Sequence, residues 1–195
     1  MLSLELLFEE TRHELKEINS QSLATALKKL NVTLDDIPVV YPPVKGSNEH
    51  KEDMSAVKHC IINLTCPPAF LKLSDENAEE VFKMYALQSD LVIKEKKIKE
   101  LCIHFDKLIK YLKNFHMRER PKVSLAIYDD DFDTQSIKDN QSMSYPSGHT
   151  AMAYFIANII ADDNPELRAD LETIAAMIGQ ARLDTGVHYP SDIEY

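Results

Sequence analysis

Apolar side chains recur at three- and four-residue intervals along most of this chain, a spacing that predicts helices and leaves few stretches with the alternation of strands. The clearest stripe is Ile98, Leu101, Phe105, Leu108, Ile109, Leu112 and Phe115, which predicts one amphipathic helix over about Ser89 to Arg118. Leu4, Leu7, Phe8, Leu15 and Ile18 predict another near the start, and a shorter helix is expected over Ser22 to Leu30. Val57 to Leu64 is an apolar run that fits either a strand or a buried helical turn; it is read as helix, ended by Pro67-Pro68. Ser74, with Asp75 and Glu76 behind it, is read as the N-cap of a helix through Val81, Met84, Tyr85 and Leu87. Ser147-Gly148-His149 opens a helix through Met152, Phe155, Ile156 and Ile159, and Asn164-Pro165 opens the next, through Leu171, Ile174, Ala175, Ile178 and Arg182. Asp36 to Lys58, with Pro38, Pro42, Pro43, Gly46 and many charges, reads as a surface connection. The expected organisation is an N-terminal helical segment over 1–35, a loop or linker over 36–58 and a helical core over 59–195, one domain overall.

Composition narrows this to an all-α bundle, because only four glycines stand among abundant Leu, Ala, Glu, Lys and Ile. The formal charge of -10 argues against nucleic acid or an anionic membrane as partner, since both select a net basic face. Apolar runs such as Ala151 to Ala161, broken by Asn158, fall short of the ~20 residues that cross a bilayer. Glu5, Glu9 and Glu10 interrupt the start where a secretory signal needs an apolar core, so no signal and a cytoplasmic location are expected. Cys60, Cys66 and Cys102 lack metal-ligand spacing and are read as reduced or buried thiols.

The basic residues that matter must therefore act locally. Lys113 and Arg120 are seven positions apart, close to two full helical turns, and so fall on one side of the helix; Pro121 disfavours helix at Arg120, which ends the helix and turns the guanidinium inward beside the ammonium. Tyr145-Pro146-Ser147-Gly148-His149-Thr150 is a helix-opening turn in which Ser147 caps and His149 packs. The same turn can hold phosphate oxygens on N–H groups near Ser147 and Gly148, with His149 beside a leaving group, and the two uses are compatible. Taken singly, Arg182 fits an ion pair, His188 a satisfied loop histidine and Asp184 a local helix-end contact. Tyr189-Pro190 reads as an N-cap and first helical residue, which puts Asp192 within reach of His188. A carboxylate on one ring nitrogen fixes the tautomer and leaves the other as a directed nucleophile. Asp129, Asp130, Asp131 and Asp133 invite a calcium site, but the glycine turn and terminal glutamate of such a loop are missing, and a solvated acidic loop is preferred.

Lys113-x6-Arg120-Pro121, Tyr145-Pro146-Ser147-Gly148-His149 and Arg182-x5-His188-x3-Asp192 together resemble the three signature motifs of the type-2 phosphatidic acid phosphatase and vanadium haloperoxidase superfamily. Lys113-Asn114, Ser144, Thr150, Gly179-Gln180-Ala181 and Gly186-Val187 make the chain most similar to soluble bacterial class A acid phosphatases. The resemblance implies a helical phosphatase acting on small phosphomonoesters without a cofactor or metal. His188 would be the nucleophile, Asp192 would orient it and His149 would be the general acid. Lys113, Arg120 and Arg182 would bind phosphate with Ser147 and Gly148.

Three departures stand beside it. Ala181 replaces the usual serine before the arginine, the family's usual secretory signal is absent, and the family continues past the aspartate into a further helix. Six residues from Pro190 cannot hold a helix unaided, so Asp192 is expected to be loosely held and activity to be low. The alternatives are a weak or inactive phosphate-binding remnant acting as an interaction protein, and a vanadate-dependent haloperoxidase. An unpaired apolar surface near the end would also admit a homo-oligomer.

Overall fold

The structure, a computed structural model, describes residues 21–128 and 141–194. All regular elements among them are helical: α1 (21–30), α2 (Asn48–Ile62), α3 (Pro68–Glu76), α4 (Ala78–Gln88), α5 (Glu95–His116), α6 (Pro121–Tyr128), α7 (Gly148–Asp163), α8 (Arg168–Asp184) and α9 (Pro190–Ile193), with 3-10 turns at Leu34–Asp36 and Pro165–Leu167. The all-α expectation is met. No described helix is long and apolar enough to cross a membrane. The helix expected near Leu4 to Ile18 and the acidic loop Asp129 to Asp133 lie outside the described residues.

Boundaries moved where a cap or a left-handed residue overrode periodicity. The connection expected over 36–58 ends early, because Ser47 accepts a hydrogen bond from the His50 N–H and starts α2 at Asn48. Ser74 is not a cap but sits inside α3, its hydroxyl on the Leu71 carbonyl; Asn77 caps α4 instead, accepting from the Glu79 N–H at 2.9 Å. The Pro67-Pro68 pair, read as a terminator, also opens α3, since proline suits a first helical turn. α5 begins six residues later than Ser89 and stops at His116, where Met117 takes a left-handed φ of 50°. That reversal lets Pro121 open α6, so Arg118 and Arg120 occupy a short turn between two helices.

α7 and α8 form the central antiparallel pair, flanked by α4 and α5. Their buried faces carry Ala153, Ile156, Ala157 and Ile160 against Leu171, Ala175 and Ile178, with Val81 and Phe82 of α4 and Ile98 and Cys102 of α5 closing the core. The small side chains draw the helices together near the loops. A Cβ on Gly179 would meet Thr150 Cγ2 at 3.2 Å, so glycine is what permits α8 to approach the start of α7 this closely. A second cluster, Met54, Val57, Leu125 and Tyr189, joins α2, α6 and the segment before α9. The three loops carrying the sequence motifs thereby meet at one end of the α5, α7 and α8 layer.

Ile178 is fully buried at the α7–α8 contact, whereas Val92 is 90% exposed. Ile178→Ala is expected to lower the unfolding free energy by about 2–5 kcal/mol, and Val92→Ala by less than about 0.5 kcal/mol, in urea titrations monitored by circular dichroism.

Candidate active site

Each motif is placed by a helix end. The last turn of α5 buries Lys113, the turn after Met117 turns Arg118 and Arg120 inward, the start of α7 presents Gly148 and His149, the last turn of α8 buries Arg182, and the one-turn α9 buries Asp192 beneath His188. A cavity of about 290 Å³ opens over them, lined by Lys113, Arg120, Ser142, Gly148, His149 and His188, with Ile109 and Met152 on its apolar wall and Glu76 and Asp106 also on its lining.

His188 is held on both ring nitrogens. Nδ1 lies 3.0 Å from Asp192 Oδ2, and Nε2 lies 2.8 Å from Arg120 Nη1. A guanidinium only donates, so Nε2 is the acceptor and the ring proton resides on Nδ1, donated to Asp192. Burial, and then the Arg120 and Lys113 charges, push the His188 pKa down to about 3 against the pull of Asp192, so the imidazole is neutral. Burial alone would raise Asp192; hydrogen bonds from His188 and Ser144 and the Arg118 charge more than offset it and hold the carboxyl at about 2. The result is an unprotonated Nε2 lone pair directed toward a cation-lined cavity.

Asp192 is not loosely held, contrary to the expectation from its short helix. Oδ1 accepts from Arg118 Nη1 at 2.6 Å, and Oδ2 accepts from the Ser144 hydroxyl and, at 2.9 Å, from the Tyr189 N–H, besides His188. Its backbone carbonyl takes the Ser147 N–H at 2.9 Å. That last bond corrects a second expectation: the Ser147 N–H is not an open donor, and its hydroxyl is turned to Thr150 Oγ1 at 2.9 Å. Gly148, one residue on, does line the cavity.

The cations differ in how they are held. Lys113 Nζ donates to the Met143 and Ser144 carbonyls at 2.7 and 3.1 Å, and burial followed by repulsion from Arg120 lowers its pKa to about 7 despite Asp192. Arg120 donates to the Ser142 carbonyl and hydroxyl and to the Val187 carbonyl. Burial lowers its pKa to about 10, which leaves it charged at neutral pH. Arg182 is not on the cavity lining; its Nη1 meets Asp75 Oδ1 at 2.7 Å and its Nη2 meets Ser74 Oγ at 3.3 Å, while its buried Nε has no partner among the described residues. His149 lies with Nε2 3.2 Å from the Asp75 carbonyl, and burial, then the Arg182 charge, lowers its pKa.

Sequence reasoning missed the groups that hold these side chains. Arg118 bridges Asp192 and Asp53 at 2.6 Å each, and Asp75 restrains Arg182. Asp53 sits in a charged run within the segment read as linker, with nothing local to mark it. Asp184, read as a local helix-end contact, does accept from Gln180 Nε2 one turn back at 2.8 Å, and it also accepts from the Thr65 and Cys66 N–H groups at 2.9 and 2.8 Å, tying the α2–α3 connection to α8.

Residues 101–195 match the PAP2 superfamily. The non-specific acid phosphatases of Salmonella typhimurium and Salmonella typhi are each 31% identical over 86 residues, 42% of this chain and 32% of theirs; that of Providencia stuartii is 31% identical over 86 residues, 33% of its length. The matched stretch thus spans about a third of those relatives. Among solved structures, a transmembrane PAP2 type phosphatidylglycerolphosphate phosphatase from Bacillus subtilis aligns with a TM-score of 0.48 and 20% identity, over 76% of this chain and 79% of its own.

Below about pH 6.5 an unfolded chain protonates His188 while the folded chain, with its pKa near 3, does not. Acidification therefore favours the unfolded state through this group. Stability measured by urea unfolding is expected to fall from pH 7 to pH 4, and His188→Gln to make that decline shallower.

Proposed function

We propose, for a chain whose residues 101–195 match the PAP2 superfamily, that the cavity hydrolyses small phosphomonoesters through a phosphohistidine, without a metal. The observation that carries this reading is His188 itself: a neutral imidazole with Nδ1–H on an ionised carboxylate and an Nε2 lone pair facing Lys113 and Arg120.

In the proposed reaction the substrate's phosphoryl oxygens take the Lys113 ammonium, the Arg120 N–H groups and the Gly148 N–H, all on the cavity lining, and from behind it the Arg182 Nε–H, which has no partner among the described residues. The Arg120 N–H that now rests on Nε2 transfers to a phosphoryl oxygen, which frees the lone pair. Nε2 attacks phosphorus; the P–N bond forms, the P–O bond to the leaving group breaks, and His149 gives the departing oxygen a proton. Asp192 stabilises the imidazolium that results. Water then attacks phosphorus, His149 takes its proton, the P–N bond breaks and phosphate leaves with His188 neutral again. Burial and Arg182 lower the His149 pKa, whereas a bound phosphate's negative charge raises it, so the acid is charged mainly when substrate is present.

Wild-type protein should release nitrophenolate from p-nitrophenyl phosphate, and His188→Ala should lose at least about a thousandfold in kcat. A wild-type protein without turnover would sink the assignment. His149→Ala should slow alkyl phosphates by about 100-fold or more and p-nitrophenyl phosphate by less than about tenfold, because only the poor leaving group needs a proton. Equal losses would remove His149 from that role. Vanadate should inhibit competitively and EDTA should leave activity unchanged; recovery of an EDTA-treated enzyme by added metal would contradict the metal-free scheme.

Lys113 is charged below about pH 7 and neutral above it. The inhibition constant of inorganic phosphate should therefore rise as pH climbs through that value. Lys113→Met should abolish the step.

A further inference from the structure

A second line of charge runs behind His188, away from the cavity. Asp53, on the buried side of α2, takes Arg118 Nη2 on Oδ2 at 2.6 Å; Arg118 Nη1 reaches Asp192 Oδ1 at 2.6 Å; Asp192 Oδ2 holds His188 Nδ1 at 3.0 Å. The Arg118 and Asp53 side chains are only 6% and 8% exposed. The Ser191 hydroxyl joins the same junction: it accepts from Arg118 Nη1 at 2.8 Å and donates to Asp53 Oδ2, and the Ser191 N–H donates to Asp53 Oδ1 at 3.3 Å. The Tyr189 ring lies under the guanidinium, 3.9 Å from Arg118 Cζ to its centroid, with its hydroxyl fixed by Ser124 at 2.7 Å. The guanidinium is thus held by two carboxylates and one aromatic face.

We propose that Asp53 is a positioning residue for the His188 reaction, acting through Arg118 on Asp192. The proposal rests on His188 being the nucleophile, and Asp53 lies outside the residues that carry the family match. Two carboxylates share one guanidinium. With Asp53 present, Arg118 is neutralised from behind, and the charge of Asp192 stays available to the imidazolium that develops on His188. Without Asp53, a buried guanidinium is left with Asp192 as its one remaining acidic partner among the described residues. Arg118 then draws the carboxylate toward itself and competes with His188 for it. Asp53, Arg118 and Asp192 are not on the cavity lining, where His188 is the member of the chain that meets Lys113, Gly148 and His149. Loss of Asp53 should therefore weaken the step that charges the imidazole and leave ground-state substrate binding nearly intact.

Asp53→Asn keeps the shape and removes the charge. It is expected to lower kcat for p-nitrophenyl phosphate by about tenfold or more while KM changes by less than about threefold. In proton NMR of the same protein, the low-field His188 Hδ1 resonance should move upfield as its bond to Asp192 weakens. A fall in kcat with that resonance unmoved would mean a structural role only, and unchanged kcat with an unmoved resonance would overturn the proposal outright. If Asp53→Asn fails to fold, Ser191→Ala removes the hydroxyl shared by Arg118 and Asp53 and should shift the resonance in the same direction by less; no shift there overturns the proposal as well. A wild-type protein inactive on phosphomonoesters would defeat the proposed reaction, whereas the resonance would still decide whether Asp53 acts on His188.

Discussion

A buried carboxylate must be given partners, and Asp192 takes them from almost every part of the site. Arg118 comes from the turn after α5, Ser144 from the loop before α7, Tyr189 and His188 from the segment entering α9, and the Ser147 N–H from the start of α7. An ion removed from water with fewer donors would protonate or would not stay inside. Satisfying this single charge is thus enough to require that three sequence-distant segments converge. The cations around it, Lys113 and Arg120, repel one another, and Asp192 is the anion that favours the charged form of both.

The helical layer beneath allows this convergence by being thin. Ala153, Ala157, Ala161, Ala175 and Ala181 are all buried, so the backbones of α7 and α8 run close, and Gly179 near the end of α8 lies against Thr150 at the start of α7. Arg182 and Gly179 leave α8 within one turn of each other, one under the site and one against Thr150.

Much of this was legible in the sequence because helices announce themselves by spacing. The α5 stripe with Lys113 at its border, the Ser147 cap of α7 and the Pro190 start of α9 are local features, and the structure keeps them. The boundaries were less legible: the end of α5 depends on one non-glycine residue adopting left-handed geometry at Met117, which no propensity favours. The supporting charges were not legible at all. Asp53 and Arg118 are separated by 65 positions, as are Arg182 and Asp75 by 107, and a carboxylate in a charged run has the same local signature whether it faces water or a buried guanidinium. The occupied Ser147 N–H was missed for the same reason, since a helix start looks open until the chain that covers it is known.

The hydrogen bond from the Ser147 N–H to the Asp192 carbonyl joins the first turn of α7 to the only turn of α9. His149 follows Ser147 by two residues and His188 precedes Asp192 by four, so the two histidines are mounted on a single rigid bracket. The opposite wall, Glu76, Asn77 and Ala78 at the α3–α4 corner, has no share in that bond but follows directly on Asp75, whose carbonyl lies 3.2 Å from His149 Nε2. A molecule that displaces that corner on its way in or out therefore acts on the His149 ring through Asp75, while His188, held by Asp192 and Arg120, keeps its place.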